Sequence, residues 1–404
     1  MSTTIRTQVA IVGAGPAGLT LAGLLARAGI ESVVLENRSR EYVEQRIRAG
    51  LLEQGTVEVL DGVGVGERMH REGIVHHGLH LQFAGERHRI PLSDLAAGRN
   101  IVIYGQTEVV KDLIQARLHA GLPLLFEVDE VSVHEIDSER PRVRFSHEGA
   151  PFELECDAIA GCDGFHGVCR PAIEQQLRVF SRDYPFAWLG ILAAVAPSSD
   201  ELVYAHHERG FALLSLRSLD RSRLYLQCAA DERLDAWPDA RIWDELQRRV
   251  ALEGWTLVEG AVLEKGIAPM RSFVSEPMAH GRLFLAGDSA HIVPPTGAKG
   301  LNLAIADVSV LAEALVDWYR TGSDAGLAEY SATCLRRVWR AEQFSYWMTS
   351  MLHRPGDDPF EDQLQLSQLR YIVSSEAAAR TLAENYVGLP LDHSRAQASV
   401  VRGA

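Results

Sequence analysis

The sequence predicts an α/β fold, in which a mainly antiparallel sheet is inserted into a parallel-sheet domain and helices follow. Three observations predict it. Short apolar runs lead into Gly-rich turns near residues 9–18, 157–170 and 283–302, as strands of a parallel sheet buried on both faces do. Strand-like runs then surround one clear helix, 241–252, and helical periodicity fills the C-terminal part. The expected boundaries are 1–174 for the first part of the parallel domain, 175–275 for the insertion, 276–325 for the return segment, and 326–404 for a helical region and dimer interface.

The composition excludes several classes of protein. The chain has 404 residues, of which 47% are hydrophobic, enough for about two or three domains. Its formal net charge of -14 gives no electrostatic footprint for nucleic acid or an anionic membrane, and no apolar run is long enough for a membrane span. Five cysteines without a C-x-x-C pair indicate reduced thiols in the cytoplasm and no metal site.

The first Gly-rich turn lies near the start of the chain. An apolar strand runs into the pattern G-x-G-x-x-G formed by Gly13, Gly15 and Gly18, a helix follows, and a second strand ends in Glu36, 18 residues after Gly18. In this order, glycines let the backbone approach a pyrophosphate and the carboxylate reaches a ribose hydroxyl. A secretory signal is the alternative, but Pro16 and the glycines disfavour it. We therefore expect a Rossmann-like dinucleotide site.

Another such turn lies at residues 286–302. It follows an apolar strand, contains Pro294, Pro295 and several glycines, and precedes a helical pattern. Backbone N–H groups at a helix start attract anions, and Asp288 is placed to accept hydrogen bonds from a sugar-like chain. A plain strand-to-helix connection is the alternative, but it rarely needs so many Gly and Pro residues. We expect this turn to hold a cofactor.

A further turn, residues 161–170, follows a buried strand and supplies Asp163, glycines and an arginine. Three such turns are more than one NAD site needs. Together they resemble the three fingerprints of the FAD-dependent aromatic hydroxylase family, and most closely its members that act on 4-hydroxybenzoate. The resemblance spans nearly the whole chain. Its most specific segments are Arg46-Ile47-Arg48-Ala49-Gly50, Tyr104-Gly105-Gln106-Thr107-Glu108, Gly161-Cys162-Asp163-Gly164-Phe165-His166-Gly167, Ile267-Ala268-Pro269-Met270-Arg271-Ser272-Phe273 and Glu384-Asn385-Tyr386-Val387-Gly388-Leu389-Pro390.

The resemblance implies a monooxygenase of aromatic catabolism that converts 4-hydroxybenzoate to 3,4-dihydroxybenzoate (protocatechuate). It implies O2 and NADPH or NADH as co-substrates, a flavin hydroperoxide as the oxygenating species, a mobile flavin and a homodimer. Without the resemblance, Arg46 and Arg48 would be interpreted as solvated charges in a polar stretch of the chain. The residues implied to hold FAD are Gly13, Gly15, Gly18, Glu36, Arg46, Arg48, Gln106, Asp163, Asp288, Gly297, Leu301 and Asn302.

The resemblance also implies a clamp for the substrate carboxylate. Arg217 is expected to bind it together with Ser215 and Tyr225, because an anion held away from water needs a permanently charged, bidentate partner. Strand alternation puts Ser215 and Arg217 on one face. Alternation leaves open whether this face lines a pocket or is exposed to solvent.

Other residues are implied to act at the phenol end of the substrate. Tyr204, Tyr386 and His76 are expected to remove the phenol proton through a hydrogen-bonded chain. A histidine in the position of His76 is often only a loop residue. Pro295, through its carbonyl group, and Thr296 are implied to contact the substrate hydroxyl.

The nicotinamide donor is the point at which the chain departs from the family pattern. Relatives that prefer NADPH carry an Arg-Gln pair after the ribose-binding Glu, whereas this chain has Asn37-Arg38. Arg38 suits a 2′-phosphate, but Asn37 removes a positive charge, so both donors stay open. The other residues implied to bind the donor are Tyr42, Arg46, His166 and Arg271.

Three other functions stay open on the sequence alone. A flavoprotein reductase or dehydrogenase without oxygen insertion needs the nucleotide turns but not the constellation around Tyr204 and Arg217. A non-catalytic flavin-binding or redox-sensing module should lack a substrate clamp. The third alternative is a hydroxylase for a related substituted hydroxybenzoate. One extra ring substituent changes the free energy of binding in the pocket by only ~1 to 3 kcal/mol.

Overall fold

The computed structural model describes residues 3–46 and 50–390. Up to residue 161 the helices and strands are, in chain order, β1 (Thr3–Arg6), β2 (Val9–Val12), α1 (Pro16–Arg27), β3 (Ser32–Leu35), α2 (Arg40–Gln45), β4 (Leu51–Glu53), α3 (Gln54–Val63), α4 (Gly66–Glu72), β5 (Ile74–His76), β6 (Leu79–Phe83), β7 (Glu86–Ile90), α5 (Leu92–Leu95), β8 (Ile101–Ile103), α6 (Gln106–His119), β9 (Leu124–Leu125), β10 (Asp129–His134), β11 (Arg142–His147), β12 (Ala150–Glu155) and β13 (Ala158–Gly161).

The second half continues with β14 (Arg178–Ala194), β15 (Val203–Ala205), β16 (Ala212–Ser218), β17 (Arg221–Ala229), α7 (Asp239–Arg249), β18 (Ala261–Glu276), β19 (Ala279–His280), β20 (Leu283–Leu285), β21 (His291–Ile292), α8 (Gly300–Thr321), α9 (Ala325–Leu352), α10 (Pro359–Ser374) and α11 (Glu376–Val387). This order confirms the predicted α/β fold with an inserted antiparallel sheet and C-terminal helices. No helix in either described segment is long and apolar enough to cross a membrane.

The parallel sheet places the three Gly-rich turns at one edge. Its strand order is β19-β20-β13-β2-β3-β9, and β2 pairs in parallel with both β13 and β3. All residues of β2, β3, β13 and β20 are buried, as expected for strands covered on both faces. Because parallel strands end at the same edge, the turns that follow β2, β13 and β20 come together there.

The antiparallel sheet has the order β21-β18-β14-β17-β16-β15-β6-β7. Its outer strands β6 and β7 come from residues 79–90, so the sheet extends beyond the predicted boundaries 175–275 on its N-terminal side. The hairpin itself was predictable, but its parallel pairing with β15 joins segments far apart in sequence. Nothing local in either segment specifies that pairing.

Alternation along the strands gives the antiparallel sheet two different faces. Ala187, Leu189 and Ile191 face one way, into a core that includes Trp243 of α7. Trp188 faces the other way, into a core shared with the C-terminal helices. The second face is the one that matters for function, because it looks toward α9 and α11.

Candidate functional site

The three Gly-rich turns contact one another directly. A Cβ on Gly13 would lie 2.3 Å from the carbonyl oxygen of Cys162, so the first and second turns approach too closely for any other residue. The Ser289 hydroxyl of the last turn donates a hydrogen bond to the Gly161 carbonyl oxygen at 2.6 Å. Arg170 also donates from the second turn to the Ser289 carbonyl oxygen at 3.2 Å. The turns therefore form one continuous wall.

The first turn has the features of a dinucleotide site. Glu36 accepts hydrogen bonds from the Ala14 N–H at 2.8 Å and the Arg38 N–H at 2.9 Å, and its carboxylate is partly exposed beside the turn. Carboxylate oxygens have capacity for further donors such as ribose hydroxyls. The helix α1 begins directly after Gly15, so its free N–H groups point toward an anion at this edge.

The second turn holds an unused buried acceptor. Oδ2 of Asp163 accepts from the Val168 and Cys169 N–H groups at 2.7 and 2.9 Å. Its Oδ1 is buried and has no hydrogen-bond partner within residues 3–46 and 50–390, and burial raises the pKa of this carboxyl. An orphaned acceptor beside the wall fits a ligand that donates from a hydroxyl or ring N–H group.

The last turn is fixed by a buried ion pair that the sequence did not reveal. Oδ2 of Asp307 on α8 lies 2.6 Å from Nε2 of His291 and accepts from the Gly287 N–H at 3.0 Å. Burial lowers the pKa of His291, but Asp307 outweighs this effect and the net shift is upward. One carboxylate thus contacts two points in the first part of the turn, Gly287 and His291, while Asp288 between them stays exposed. The available signal was one acidic residue, Asp307, within the apolar stretch that begins α8.

Asn302 cannot bind a cofactor through its side chain. Its Oδ1 accepts from the Glu53 N–H and the Thr56 hydroxyl at 2.9 and 2.7 Å, and its Nδ2 donates to the Leu51 and Ala298 carbonyl oxygens at 3.0 and 2.9 Å. All four hydrogen-bonding positions of the amide are occupied. A contact with FAD at this position must use the backbone N–H at the start of α8.

The remaining residues expected to hold FAD are spread around the same wall. Gln106 and Leu301 are half-buried at the starts of α6 and α8, and Gly297 is buried. Arg46 is exposed, and its carbonyl oxygen accepts from the Thr107 hydroxyl at 3.2 Å. Arg48 lies outside the described residues.

A buried lysine beside this wall was also missed from the sequence. Lys299 donates to Oε1 of Glu53 at 2.6 Å and to the carbonyl oxygen of Tyr386 at 3.0 Å. Burial lowers the pKa of the Lys299 ammonium group, while Glu53 opposes this effect. Two features of the sequence could have predicted this ion pair: a charged residue inside the apolar strand β4, and a lysine within the Gly-rich turn. The pair fixes one of the expected catalytic tyrosines to the cofactor wall.

Four of the residues expected to bind substrate, namely Tyr204, Ser215, Arg217 and Tyr225, lie on neighbouring strands of the antiparallel sheet. Strand register aligns Tyr204 with Leu213, and Leu213 with Tyr225, across three neighbouring strands. Ser215 lies two residues along from Leu213 and therefore points the same way. The strand register shifts between Leu216 and Ser218, so alternation alone does not fix the direction of Arg217. From Tyr204 to Arg217 the face extends roughly 13 Å along the strands. It is the face that looks toward the C-terminal helices.

Arg217 makes this end of the face cationic. Burial lowers the pKa of its guanidinium group, and Arg223, which the sequence analysis missed, adds to the effect. Nη1 of Arg223 is buried and has no hydrogen-bond partner in the described part of the chain, and its Nε donates to the Tyr225 hydroxyl at 3.4 Å. Two partly buried guanidinium groups beside a tyrosine hydroxyl are suited to a carboxylate.

The opposite end of the face carries a tyrosine pair. The hydroxyl oxygens of Tyr204 and Tyr386 lie 2.5 Å apart, and both side chains are buried. Burial raises the pKa of each.

Thr296 is buried and accepts a hydrogen bond from Thr349 at 2.8 Å. The Pro295 carbonyl oxygen accepts from the Ala298 N–H at 2.9 Å and keeps a second lone pair for a ligand.

His76 is not joined to this pair by a direct hydrogen bond. It lies at the end of β5, and neither ring nitrogen has a partner among the residues that the structure describes. Burial lowers the pKa of His76 to about 4, with the opposing charge of Glu201 nearby. A proton relay from Tyr386 to His76 therefore requires a bridging water molecule.

The residues expected to bind the nicotinamide donor form two surface groups. The guanidinium carbon of Arg38 lies 5.4 Å from the ring centre of Tyr42. His166 and Arg271 both pack on Phe165, each at 5.0 Å from its ring centre. The second group adjoins the turn that carries Asp163.

Comparisons of sequence and structure relate this chain to known proteins. Residues 6–345 match the family model described as FAD binding domain. The p-hydroxybenzoate hydroxylase of Acinetobacter baylyi is 50% identical over 392 residues, 96% of this chain and 97% of that protein. A 3-(3-hydroxy-phenyl)propionate/3-hydroxycinnamic acid hydroxylase of Mycobacterium sp. is 26% identical over 313 residues, 76% of this chain but only 53% of that protein. The p-nitrophenol 4-monooxygenase of Pseudomonas putida has a TM-score of 0.82 at 20% identity, covering 96% of this chain and 99% of that chain, and this likeness concerns the fold alone.

Proposed function

This chain belongs to the FAD binding domain family, and from that membership we propose that it hydroxylates 4-hydroxybenzoate to 3,4-dihydroxybenzoate. It is an enzyme of the FAD-dependent aromatic monooxygenase class. In the proposed reaction NAD(P)H supplies two electrons and O2 supplies the oxygen. One oxygen atom enters the ring beside the phenolic oxygen, and the other leaves as water.

The observation that carries the substrate assignment is the sheet face with a cationic end and a tyrosine end. Arg217 and Arg223 suit the carboxylate of the substrate, and the Tyr204–Tyr386 pair suits its phenolic hydroxyl. A reductase without oxygen insertion, or a flavin-binding sensor, has no need for this combination. The near full-length similarity to a p-hydroxybenzoate hydroxylase supports the same assignment.

FAD, when bound, supplies the electron transfer and the oxygen chemistry. The residues that fit it are the glycines of the first turn, Glu36, the orphaned Oδ1 of Asp163, Asp288 and the N–H groups at the start of α8. Asp307 and His291 keep the last turn in place for it.

The protein's own chemistry is the activation of the phenol. A ring attacked by an electrophile reacts faster as phenolate, so the phenolic proton must leave before oxygen is transferred. Tyr204 accepts or donates at the phenolic oxygen, and Tyr386 passes the proton onward. Because burial raises the pKa of both tyrosines, they act as neutral relays and do not accumulate as phenolates at neutral pH.

We also propose a cytoplasmic homodimer. The cysteines that the structure describes are free and buried, which fits a reducing compartment. Exposed apolar side chains on α10, namely Phe360 and Tyr371 at 71% and 61% exposure, support an interface in the C-terminal region. Light scattering of the purified protein tests the dimer, and a monomer mass at micromolar concentration contradicts it.

The substrate assignment is tested by mixing the purified flavoprotein with 4-hydroxybenzoate and following NADH and NADPH oxidation, O2 uptake and aromatic product in parallel. We expect one 3,4-dihydroxybenzoate per donor oxidised. Substituted hydroxybenzoates serve as competing substrates. Rapid donor oxidation that yields only H2O2, without hydroxylated product, contradicts the assignment.

A further inference from the structure

The helix α9 places two buried hydroxyl groups against the turn that follows Pro294. Ser345 and Thr349 lie four residues apart and therefore on the same face of the helix. Both side chains are buried. The turn lies close against this face, since a Cβ on Gly297 would fall 2.7 Å from the Ser345 hydroxyl oxygen and 3.2 Å from the Phe344 ring. The spacing between helix and turn is thus fixed by packing.

Thr349 uses its hydroxyl in an unusual way for a helical threonine. Such a hydroxyl commonly donates to the carbonyl oxygen one turn earlier in its own helix. Here it donates across the gap to the hydroxyl oxygen of Thr296 at 2.8 Å. Because Thr296 accepts from Thr349, its own hydrogen must point elsewhere. Thr296 is buried, so that hydrogen requires an acceptor inside the site.

The end of α9 is anchored to the substrate sheet one turn further on. The Trp188 indole N–H donates to Nε2 of His353 at 2.6 Å, and Nδ1 of His353 lies 3.1 Å from the Thr349 carbonyl oxygen. Burial lowers the pKa of His353 to about 3, so the ring stays neutral and keeps one tautomer over the working pH range. Trp188 in turn packs on Tyr225, with ring centres 4.8 Å apart. Thr349 is therefore held between the turn at Thr296 and the sheet residue Trp188, which acts through His353.

We infer that Thr349 is a positioning residue of the hydroxylation site, which turns the Thr296 hydroxyl hydrogen toward the phenolic oxygen of the substrate. This inference rests on the proposed function. A donor aimed at that oxygen stabilises the ionised form of the phenol. Thr296 transfers no proton; the proton leaves through the Tyr204–Tyr386 pair, and the Thr296 donor holds the resulting charge.

The test is a pH titration of bound 4-hydroxybenzoate in the holoenzyme without a nicotinamide donor, followed by the absorbance of its phenolate. Thr349→Val is nearly isosteric and removes the donor, so the bound phenol should ionise at a pH about one unit higher. Thr349→Ser keeps the hydroxyl and should titrate as the wild type does. Thr381→Val, at an exposed threonine of α11 that bonds to its own helix, is the matched control.

A wild-type titration in folded, FAD-bound Thr349→Val, or an equal shift in Thr349→Ser, overturns the inference. If the valine variant does not fold, Thr349→Cys replaces it, because a thiol is a weak donor. It should shift the titration in the same upward direction, and an unchanged curve again overturns the inference. Failure of the proposed function is distinct: the wild type itself then binds no 4-hydroxybenzoate or forms no hydroxylated product.

Discussion

The guanidinium group of Arg217 lies against the backbone of Gly105, so closely that a Cβ at position 105 would fall 2.2 Å from Nη1. Gly105 has φ −55° and ψ 132°, which other residues adopt freely. An alanine at this position is therefore opposed by the Arg217 side chain, which would have to move, and not by backbone conformation. The segment that begins α6 thus sets the position of the proposed carboxylate clamp.

Gly105→Ala should displace Arg217 and weaken substrate binding. A charge-assisted hydrogen bond is worth about 1.5–3 kcal/mol, so we expect the KM for 4-hydroxybenzoate to rise roughly ten- to hundredfold. Steady-state kinetics measures this, with Arg217→Ala as the reference for complete loss of the clamp. Gly62→Ala, at a helical glycine with open space around it, should leave KM unchanged. A KM unaffected by Gly105→Ala argues against the clamp at Arg217.

Tyr204→Phe should separate donor oxidation from hydroxylation. The variant keeps the ring but removes the hydroxyl that contacts the Tyr386 hydroxyl. General acid–base steps contribute about a hundredfold or more, so product formation should fall by that order while donor oxidation continues and yields H2O2. Product and H2O2 are quantified together.

The matched control for this variant is Tyr330→Phe. Tyr330 is also buried, but its hydroxyl donates to the Leu285 carbonyl oxygen at 2.7 Å inside the parallel-sheet domain. Its loss should cost stability without changing the ratio of product to H2O2. If Tyr204→Phe keeps the wild-type ratio, the proposed relay is wrong.

Local sequence was sufficient for the strand-turn-helix units. In each, an apolar strand, a Gly-rich turn and a helix follow one another within a short segment, and their order alone predicts a site at the carboxyl edge of a parallel sheet. Period-2 alternation also predicted that Ser215 and Arg217 share a face, although the strand register shifts between Leu216 and Ser218. Whether that face was a pocket depended on α9 and α11, which pack on it from the far end of the chain.

The missed residues depend on distant partners. Lys299 and Glu53 are 246 positions apart in the sequence, and the sequence around neither residue indicates the other as its partner. Arg217 on β16 meets Gly105, which precedes α6, although the two residues lie far apart in the sequence. His291 and Asp307 are nearer, at 16 positions, but they face each other only once α8 has packed on the sheet. Such contacts follow from tertiary packing, which periodicity and motif spacing do not encode.

Asp307→Asn should loosen the last Gly-rich turn and remove a pH-dependent part of the stability. Breaking a buried ion pair costs about 3–5 kcal/mol, so we expect a lower Tm and weaker FAD binding. Because Asp307 raises the pKa of His291, the pair stabilises the fold fully below the unfolded pKa of histidine. That contribution is lost as pH rises through the higher folded pKa. The difference in Tm between the two proteins should therefore shrink as pH rises.

Thermal unfolding across about pH 6 to 9 measures this difference, and flavin fluorescence reports FAD release. The comparison of two proteins is needed because burial raises the pKa of Glu342 to about 7, so this group titrates in the same range. Asp317→Asn, a more exposed position on the same helix, is the control. A Tm difference that stays constant or grows with pH contradicts a charged His291.

Arg38→Ala should separate the two nicotinamide donors. Arg38 is exposed and stacks on Tyr42 at the surface, next to the carboxylate of Glu36. If it binds a 2′-phosphate, its loss should raise the KM for NADPH by about tenfold and leave that for NADH nearly unchanged, because only NADPH carries the phosphate.

Asn37→Arg is the complementary change, since it restores the positive charge that the family pattern has after the ribose-binding glutamate. It should lower the KM for NADPH and raise the ratio of NADPH to NADH efficiency, and added salt should reduce the gain because the site is exposed. Arg40→Ala, at an exposed arginine of α2 paired with Glu44, is the control for a general loss of surface charge. Equal effects on both donors in Arg38→Ala contradict a 2′-phosphate site at Arg38. The remaining candidates for donor binding are then Tyr42, Arg46, His166 and Arg271.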